Sequence, residues 1–167
     1  MGKKLLLLIL TVFLMQSSCK MNYSFTGAQT GTAETVSVKY FTNIAPLNNP
    51  SASQTFTEKL KDKFVRETPL KLIDDNGDMM LSGKIIDYNV SPVAIQQNVT
   101  AAQNRLTIAI QVKFVNKTDS KYDFEKTFSN FEDFDATKSL SAVENDLVNT
   151  ICDKIVQNVF NDAVINW

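Results

Sequence analysis

The chain contains no histidine among its 167 residues, and this absence limits the chemistry that it can perform. Serine and cysteine hydrolases rely on histidine as a general base, and catalytic zinc sites usually take it as a ligand. Cys152 is a candidate nucleophile, but Val148, Ile151 and Ile155 lie beside it at helical spacing. Apolar surroundings raise the pKa of a thiol and make it inert, so Cys152 is predicted to be a core residue. We therefore expect a protein that is not an enzyme.

Two clusters of carboxylates could hold a metal ion or act as an acid–base pair. The segment DDNGD at 74–78 is similar to a calcium loop, but Ile85 stands at the twelfth position, where such loops carry a bidentate Glu. A solvated turn built on Asn-Gly is the preferred interpretation. The second cluster, at Glu132, Asp133 and Asp135, follows a strand pattern and adjoins no predicted pocket. Neither cluster predicts a metal site, a cofactor or catalysis.

Basic residues near one predicted strand are candidates for binding an anionic lipid. Arg105 begins this strand, Lys113 lies on its polar side, and Lys117 and Lys121 follow in the next loop. Guanidinium groups bind phosphate bidentately, and ammonium groups bind it as point charges. Ordinary solvated lysines and arginines are the alternative interpretation. Arg105 and Lys113 are the two residues that we single out as candidate contacts.

The N-terminus has the three regions of a secretory signal peptide. A basic MGKK start is followed by an apolar run over 5–15, which is too short to span a bilayer as a helix, since about 20 residues are needed. The sequence QSSC at 16–19 is similar to the lipobox of bacterial lipoproteins, although Gln16 stands where Leu is usual. We predict cleavage before Cys19 and acylation of its thiol. An ordinary secretory signal with an incidental cysteine is the alternative.

Removal of residues 1–18 leaves a chain suited to one domain. We assign 19–33 as a lipidated tether, because it is rich in Gly, Thr and Ser and shows no period, and 34–167 as a single domain. Loss of the two leader lysines moves the net charge from −1 to −3, which disfavours nucleic acid as a partner. With Cys19 acylated, Cys152 has no cysteine to pair with.

Three sequons argue for a eukaryotic secretory pathway instead. They begin at Asn22, Asn98 and Asn116 and would accept glycans there. In a bacterial lipoprotein they would be chance matches in polar loops.

The hydrophobic periodicity predicts six elements in the order β-α-β-β-β-α. The strands are expected over 34–41, 79–92, 105–115 and 122–131, and the helices over 51–68 and from 140 to the C-terminal region. Ser51 or Ser53 is the expected N-cap of the first helix, and 141–144 reads as a capping box for the second. Gly83 indicates a bulge or a close approach by the covering helix.

This order predicts a two-layer α+β sandwich, with a four-stranded mixed sheet and two helices on one face. The first strand and the strand after the first helix should be parallel neighbours through a right-handed crossover. The strands at 105–115 and 122–131 should pair antiparallel across a hairpin loop.

Several segments in this order resemble the LptE family of lipopolysaccharide-assembly lipoproteins. The likeness extends over nearly all of 19–167 and is carried by these pieces: YSFTGA, VSVKYFTN, FTEKLKD, DNGDMMLSGKIIDYNVSPVA, NRLTIAIQVKFVN, FEKTFSNFEDFD and FNDAVINW. No single piece is a mechanistic motif, so the resemblance rests on order and spacing.

The resemblance implies an outer-membrane lipoprotein that faces the periplasm, with two helices on a four-stranded sheet. It implies a plug inside the LptD β-barrel that assists barrel assembly and promotes lipopolysaccharide delivery to the cell surface. Basic residues near one end of the fold would contact lipopolysaccharide. A periplasmic-facing lipoprotein of similar fold that binds another envelope protein is the alternative. A secreted hydrolase is a more distant one, disfavoured by the missing histidine.

Overall fold

The structure is a computed structural model that describes residues 28–47, 49–93 and 102–165. The signal peptide, Cys19 and residues 20–27 of the expected tether lie outside this range. The strands are β1 (Thr35–Val38), β2 (Thr42–Asn43), β3 (Lys71–Leu72), β4 (Met79–Val93), β5 (Gln103–Asn116) and β6 (Phe124–Asp135). The helices are α1 (Pro50–Glu67) and α2 (Leu140–Val164).

The α+β class is confirmed, and the sheet has six strands in the described part of the chain rather than the four expected. Its order is β3-β1-β4-β5-β6, and β2 also pairs with β4. The two extra strands have two residues each, which is too short to show a period in the sequence. β1 is parallel to β4, as predicted, and also to β3, which was not predicted, while β4, β5 and β6 are antiparallel.

The predicted strand over 34–41 ends early because Phe41 leaves the strand geometry. Its ring is fully buried and packs edge-on against Phe56 of α1, with ring centroids 4.9 Å apart. Its backbone N–H donates to the Thr57 hydroxyl instead of to the sheet. The chain then rejoins β4 as β2.

α1 begins one residue before the predicted start, and its N-cap is Asn49 rather than Ser51 or Ser53. The Asn49 side-chain oxygen accepts hydrogen bonds from the backbone N–H groups of Ser51 and Ala52. Pro50 occupies the first turn, where a missing N–H costs nothing. Pro69 follows the end of the helix, as expected.

α2 lacks the predicted capping box. Ser139 is the N-cap residue and makes no side-chain hydrogen bond to the helix backbone, and Glu144 bonds to groups outside the helix. The helix is held instead by its broad apolar face, which buries nine residues from Val148 to Val164.

Both helices cover one face of the sheet, which we call the inner face. On β5 the alternate residues that point to this face are all buried, namely Leu106, Ile108, Ile110, Val112 and Phe114. The helices run parallel, because Lys59 bonds to Asp153 and, four residues on, Lys63 bonds to Gln157. The opposite side of β4, β5 and β6 is the outer face, which carries Lys84, Arg105, Lys113 and Phe131.

Other groups approach Gly83 closely, as one of the two predictions held. These groups are the backbone of β5 and the Phe41 ring, not the covering helix. A Cβ at this position would lie 2.0 Å from the Gln111 carbonyl oxygen and 2.6 Å from the Phe41 ring. The bulge lies beyond it, where the register shifts between Ile85 and Asp87.

Residues 28–33, which the sequence assigned to the tether, pack on the domain. Ala28, Thr30 and Ala33 are buried, and the Gln29 N–H donates to the Val164 carbonyl at the end of α2, at 2.6 Å. The segment is fixed beside the C-terminal end of that helix.

Candidate functional site

The acidic turn at 74–78 has a structural role, because it holds the start of β1 by hydrogen bonds. The Asp78 carboxylate accepts hydrogen bonds from the backbone N–H groups of Glu34 and Thr35, both at 3.0 Å, and from the Thr35 hydroxyl at 2.7 Å. These bonds, led by the Thr35 hydroxyl, hold the pKa of Asp78 below its usual value. Asn76 takes the left-handed conformation, with φ 62°, that the turn requires. Asp78 thus serves the fold.

The same turn also contacts the backbone of β1 and the loop between β5 and β6. The Gly77 N–H donates to the Ser37 hydroxyl, and a Cβ on Gly77 would lie 2.7 Å from the Ser37 nitrogen. The Lys117 ammonium donates to both the backbone and the side-chain oxygen of Asn76. Across residues 28–47, 49–93 and 102–165, no cluster of three or more Cys, Asp or Glu could hold a metal ion.

Cys152 is buried in the core, as predicted, and it is a free thiol. Burial raises its pKa to about 12, so very little thiolate exists at neutral pH. The nearby Lys59 opposes this shift without reversing it.

The carboxylates at 132, 133 and 135 are not brought together as an acid–base pair. Glu132 faces inward and pairs with Lys154 of α2, whereas Asp133 faces outward and pairs with Arg105. Asp135 accepts hydrogen bonds from the backbone and hydroxyl of Thr137 in the turn that follows β6. Each carboxylate therefore has its own structural partner.

Arg105 lies on the outer face and is held in place by two contacts. Its guanidinium forms a bidentate ion pair with Asp133, at 2.7 and 3.0 Å, and stacks on the Phe131 ring, 3.6 Å from the centroid. The hydrogen bonds to Arg105 lower the pKa of Asp133. Phe131 remains 43% exposed, so the stacked pair forms a cationic and aromatic surface.

Lys113 shares the outer face with Arg105 but lies at the other end of the sheet. The two residues are eight positions apart on β5, which corresponds to about 27 Å. The two candidate contacts therefore lie near opposite ends of the outer face. Lys113 is exposed, and within the described part of the chain its ammonium has no hydrogen bond or ion pair.

Sequence reasoning missed Lys84, which also lies on the outer face. It stands opposite Gln111 on β5, while Lys113 stands opposite Ser82, so the two lysines are diagonal neighbours. Such neighbours lie roughly 7–8 Å apart. The alternation of β4 places Lys84 on the polar side of that strand. Its position beside Lys113 could not be predicted, because it depends on the register between β4 and β5.

A polar network that the sequence did not predict joins the N-terminal ends of both helices to β4. The Tyr88 hydroxyl donates to Glu144 at 2.5 Å, and the Asn49 amide donates to Glu144 at 2.7 Å and to the Tyr88 oxygen at 3.2 Å. Burial, followed by the bond to Glu144, raises the pKa of Tyr88 above its ordinary value. The network fixes the two helices and the sheet at one end of the molecule.

A glycan on Asn116 would not fit the folded domain. The Asn116 residue is fully buried, and its side-chain oxygen accepts hydrogen bonds from the backbone and hydroxyl of Thr118. Its amide nitrogen is buried and has no hydrogen-bond partner. The sequons at Asn22 and Asn98 lie outside the described residues.

The described helices do not have the length and hydropathy that a membrane span requires. The architecture is similar to that of solved structures. A minor lipoprotein from Acinetobacter baumannii superposes with a TM-score of 0.50 at 11% identity, over 77% of this chain and 91% of that one. A putative neuraminyllactose-binding hemagglutinin homolog from Helicobacter pylori superposes at 0.51 with 8% identity, over 82% and 86%. These likenesses define the class as a two-layer α+β domain.

The family of the protein is shown by a match of its sequence to a family model. The LptE family model, described as lipopolysaccharide-assembly, matches residues 33–163, and the chain belongs to this family. The matched range begins two residues before β1 and ends in the last turn of α2, so it includes every described strand, all of α1 and nearly all of α2. No curated protein sequence matches the chain. The protein is thus a member of a lipopolysaccharide-assembly family.

Proposed function

We propose that this protein is an outer-membrane lipoprotein that plugs an LptD-type β-barrel, assists its assembly and promotes lipopolysaccharide delivery to the cell surface. The observation that carries the proposal is the family match over 33–163, which spans the whole folded domain. On this proposal residues 1–18 are a cleaved signal peptide, and Cys19 carries the acyl anchor on the periplasmic side of the membrane.

A binding role agrees with the chemistry of the described residues. The sequence lacks histidine, and the buried Cys152 has a raised pKa. The acidic turn and the carboxylates of β6 are engaged in holding the fold. The action of the protein then depends on the shape and charge of its surface.

The anchor supports this role energetically. Each buried methylene contributes about 0.8 kcal/mol, so two or more acyl chains hold a protein stably at a membrane. Confinement to the membrane surface raises the effective concentration of the domain toward a membrane-embedded partner. Only the short segment 20–27 separates Cys19 from the part of the chain that packs on the domain.

The outer face supplies the proposed lipopolysaccharide contacts, Arg105 and Lys113. Lys113 has an ammonium group that is exposed and without a described partner, as phosphate binding requires. The Arg105 guanidinium already bonds to Asp133, so it would offer the N–H groups that this bidentate pair leaves open. Because of their separation, the two residues would contact different groups of the ligand.

Capture from detergent-solubilised envelopes tests the proposal. The full chain, tagged at its C-terminus, should co-purify with one large outer-membrane β-barrel, and intact-mass analysis should find acyl mass on Cys19. A Cys19→Ala variant is the matched control, and it should recover much less barrel. Recovery of the lipidated protein without a large barrel would contradict the proposed partnership. Recovery with another envelope protein alone would favour a different envelope role.

A further inference from the structure

The acidic turn contains the one Asn-Gly pair of the sequence, at Asn76 and Gly77. Asparagine is a chemically labile residue, and it is least durable before glycine, because glycine has no Cβ to hinder its backbone nitrogen. Asn76 is exposed to water and takes the left-handed conformation, with φ 62°. The pair is therefore a candidate site of chemical modification, for which the proposed function gives no role.

The reaction open to this pair is deamidation, with water as its co-reactant. The Gly77 nitrogen loses its proton and bonds to the Asn76 Cγ atom, while the Cγ–Nδ2 bond breaks and ammonia leaves with that proton. The product is a cyclic imide. Water then opens the imide at Cγ, which gives aspartate, or at the backbone carbonyl carbon, which gives isoaspartate. The attack requires a free Gly77 nitrogen and an Asn76 side chain that can turn toward it.

In the folded chain the Gly77 nitrogen is not free. Its N–H donates to the Ser37 hydroxyl at 3.1 Å, and Gly77 is buried against the backbone of β1. The N–H groups of the residues on either side also donate to side-chain oxygens, at 2.8 and 2.9 Å. The backbone of the turn therefore cannot rotate without breaking several hydrogen bonds.

The Asn76 side chain is held as well, by Lys117 from the loop between β5 and β6. The Lys117 ammonium donates to the Asn76 Oδ1 atom at 2.6 Å and to the Asn76 backbone carbonyl oxygen at 2.9 Å. In a planar peptide unit the carbonyl oxygen and the next nitrogen point in different directions from the carbonyl carbon. The shared ammonium thus draws the side chain toward the carbonyl oxygen rather than toward the Gly77 nitrogen.

Isoaspartate at position 76 would not fit the turn, because it lengthens the backbone by a methylene group. A Cβ on Gly77 would already lie 2.7 Å from the Ser37 nitrogen and 2.9 Å from the Val36 carbonyl carbon, so the turn has no room for a longer chain. Aspartate keeps the length of the backbone, and its carboxylate can still accept from Lys117. Isoaspartate is therefore the product that prevents the turn from closing on β1.

We propose that Asn76 is a deamidation site that the folded turn protects, and that isoaspartate formed there in an opened or unfolded chain prevents the turn from closing again. Reaction in the folded chain requires local opening, so its rate follows the fraction of opened molecules. Ser37 and Lys117 are the protecting residues. This inference depends neither on the barrel partnership nor on acylation of Cys19.

Peptide mapping measures the reaction on the full mature chain. Trypsin cuts after Lys71 and Lys84 and releases residues 72–84, in which Asn76 is the one asparagine. Chromatography with mass spectrometry separates the asparagine, aspartate and isoaspartate forms of this peptide. In mildly alkaline buffer the folded chain should deamidate at least about tenfold more slowly than a synthetic 72–84 peptide in the same buffer.

Two matched pairs of variants locate the protection. Lys117→Met removes the ammonium from the side chain and should raise the rate in the folded chain about threefold, whereas Lys121→Met, an equal charge change in the same loop, should leave it unchanged. Ser37→Ala leaves the glycine N–H without its acceptor and should raise the rate about tenfold, whereas Ser129→Ala on β6 should not. The lysine pair keeps the test decisive if Ser37→Ala does not fold.

Refolding tests the effect of the product. The chain is deamidated in urea and returned to buffer without urea, and added protease then removes the molecules that have not folded. Isoaspartate should be enriched in the digested fraction. Asn76→Asp, which introduces the charge without the longer backbone, should refold as the native chain does.

Three outcomes would overturn the proposal. Equal rates in the folded chain and the synthetic peptide would show that the fold gives no protection. A rate in Lys117→Met that is no faster than in Lys121→Met would show that the ammonium does not hold the side chain away from reaction. Complete refolding of the isoaspartate form would show that the turn accepts the longer backbone.

Discussion

At the scale of single residues, Asp78 stabilises the fold only while its carboxylate is ionised. Its pKa is lowered in the folded state, so its contribution is present above the ordinary value of 3.8 and is lost as the pH falls through the folded value. Asp78→Asn should therefore lower the free energy of unfolding at pH 7, and the difference from the native chain should shrink as the pH falls below 3.8 toward the lowered pKa of the folded state. Urea unfolding at several pH values measures this.

Asp74→Asn is the matched control for that series, because Asp74 is an exposed carboxylate in the same turn. It should change the unfolding free energy much less than Asp78→Asn does. A difference between native chain and Asp78→Asn that stays constant from pH 7 to about pH 2 would show that charge is not the cause.

Lys113 is a proposed contact for lipopolysaccharide, and its charge can be tested directly. Because its ammonium is exposed and without a described partner, Lys113→Glu should weaken binding of purified lipopolysaccharide by roughly fivefold, as expected for one exposed charge contact. Lys138→Glu, an equal charge change at an exposed residue in the turn after β6, is the control. Equal effects of both variants would indicate net charge alone and remove Lys113 from the proposed contacts.

The sequence predicted the residue environments that depend on local pattern and missed those that depend on distant partners. Cys152 could be placed in the core because its helical neighbours are apolar. The role of Asp78 could not be predicted, since its partners Glu34 and Thr35 precede it by more than 40 residues and are met only when β1 and β4 pair. Arg105 was found as a cation, but its stacking on Phe131 depends on the register of β5 and β6.

At the scale of elements, the network of Asn49, Tyr88 and Glu144 should couple the helices to the sheet. Tyr88→Phe and Glu144→Gln should each cost about 1–2 kcal/mol of unfolding free energy, because each leaves a partly buried partner with fewer hydrogen bonds. The double variant should cost less than the sum of the two by about 1 kcal/mol. Chemical denaturation of the four proteins measures the cycle.

Asp146→Asn provides the control for this cycle, because Asp146 is exposed on α2 close to Glu144. Its effect should stay within about 0.5 kcal/mol. Strict additivity of Tyr88→Phe and Glu144→Gln would contradict the coupling.

Alternation and helical periodicity predicted the long elements, whereas tertiary contacts decided their ends. β5 and α2 were predicted on the correct faces because each has an unbroken apolar stripe. The capping box of α2 was wrong, because Glu144 bonds more favourably to Tyr88 and Asn49 than to its own helix backbone. The predicted end of β1 was wrong, because Phe41 packs its buried ring against Phe56 and does not continue the strand.

At the scale of the whole molecule, the fold has one covered face and one outer face, and these have different tasks. The inner face joins both helices and the sheet in a single core. The outer face carries Lys84, Lys113 and the stacked pair of Arg105 and Phe131. An anchor at Cys19 would hold this domain near the membrane, where the outer face would meet its proposed ligand.

Depletion of the protein from living cells, followed by separation of inner and outer membranes, tests the central claim most directly. Newly made lipopolysaccharide should accumulate in the inner-membrane fraction, and the cell surface should become permeable. The native chain should restore delivery, and Cys19→Ala should restore it poorly. An unchanged distribution of lipopolysaccharide between the two membranes after depletion would contradict the proposed role in lipopolysaccharide delivery.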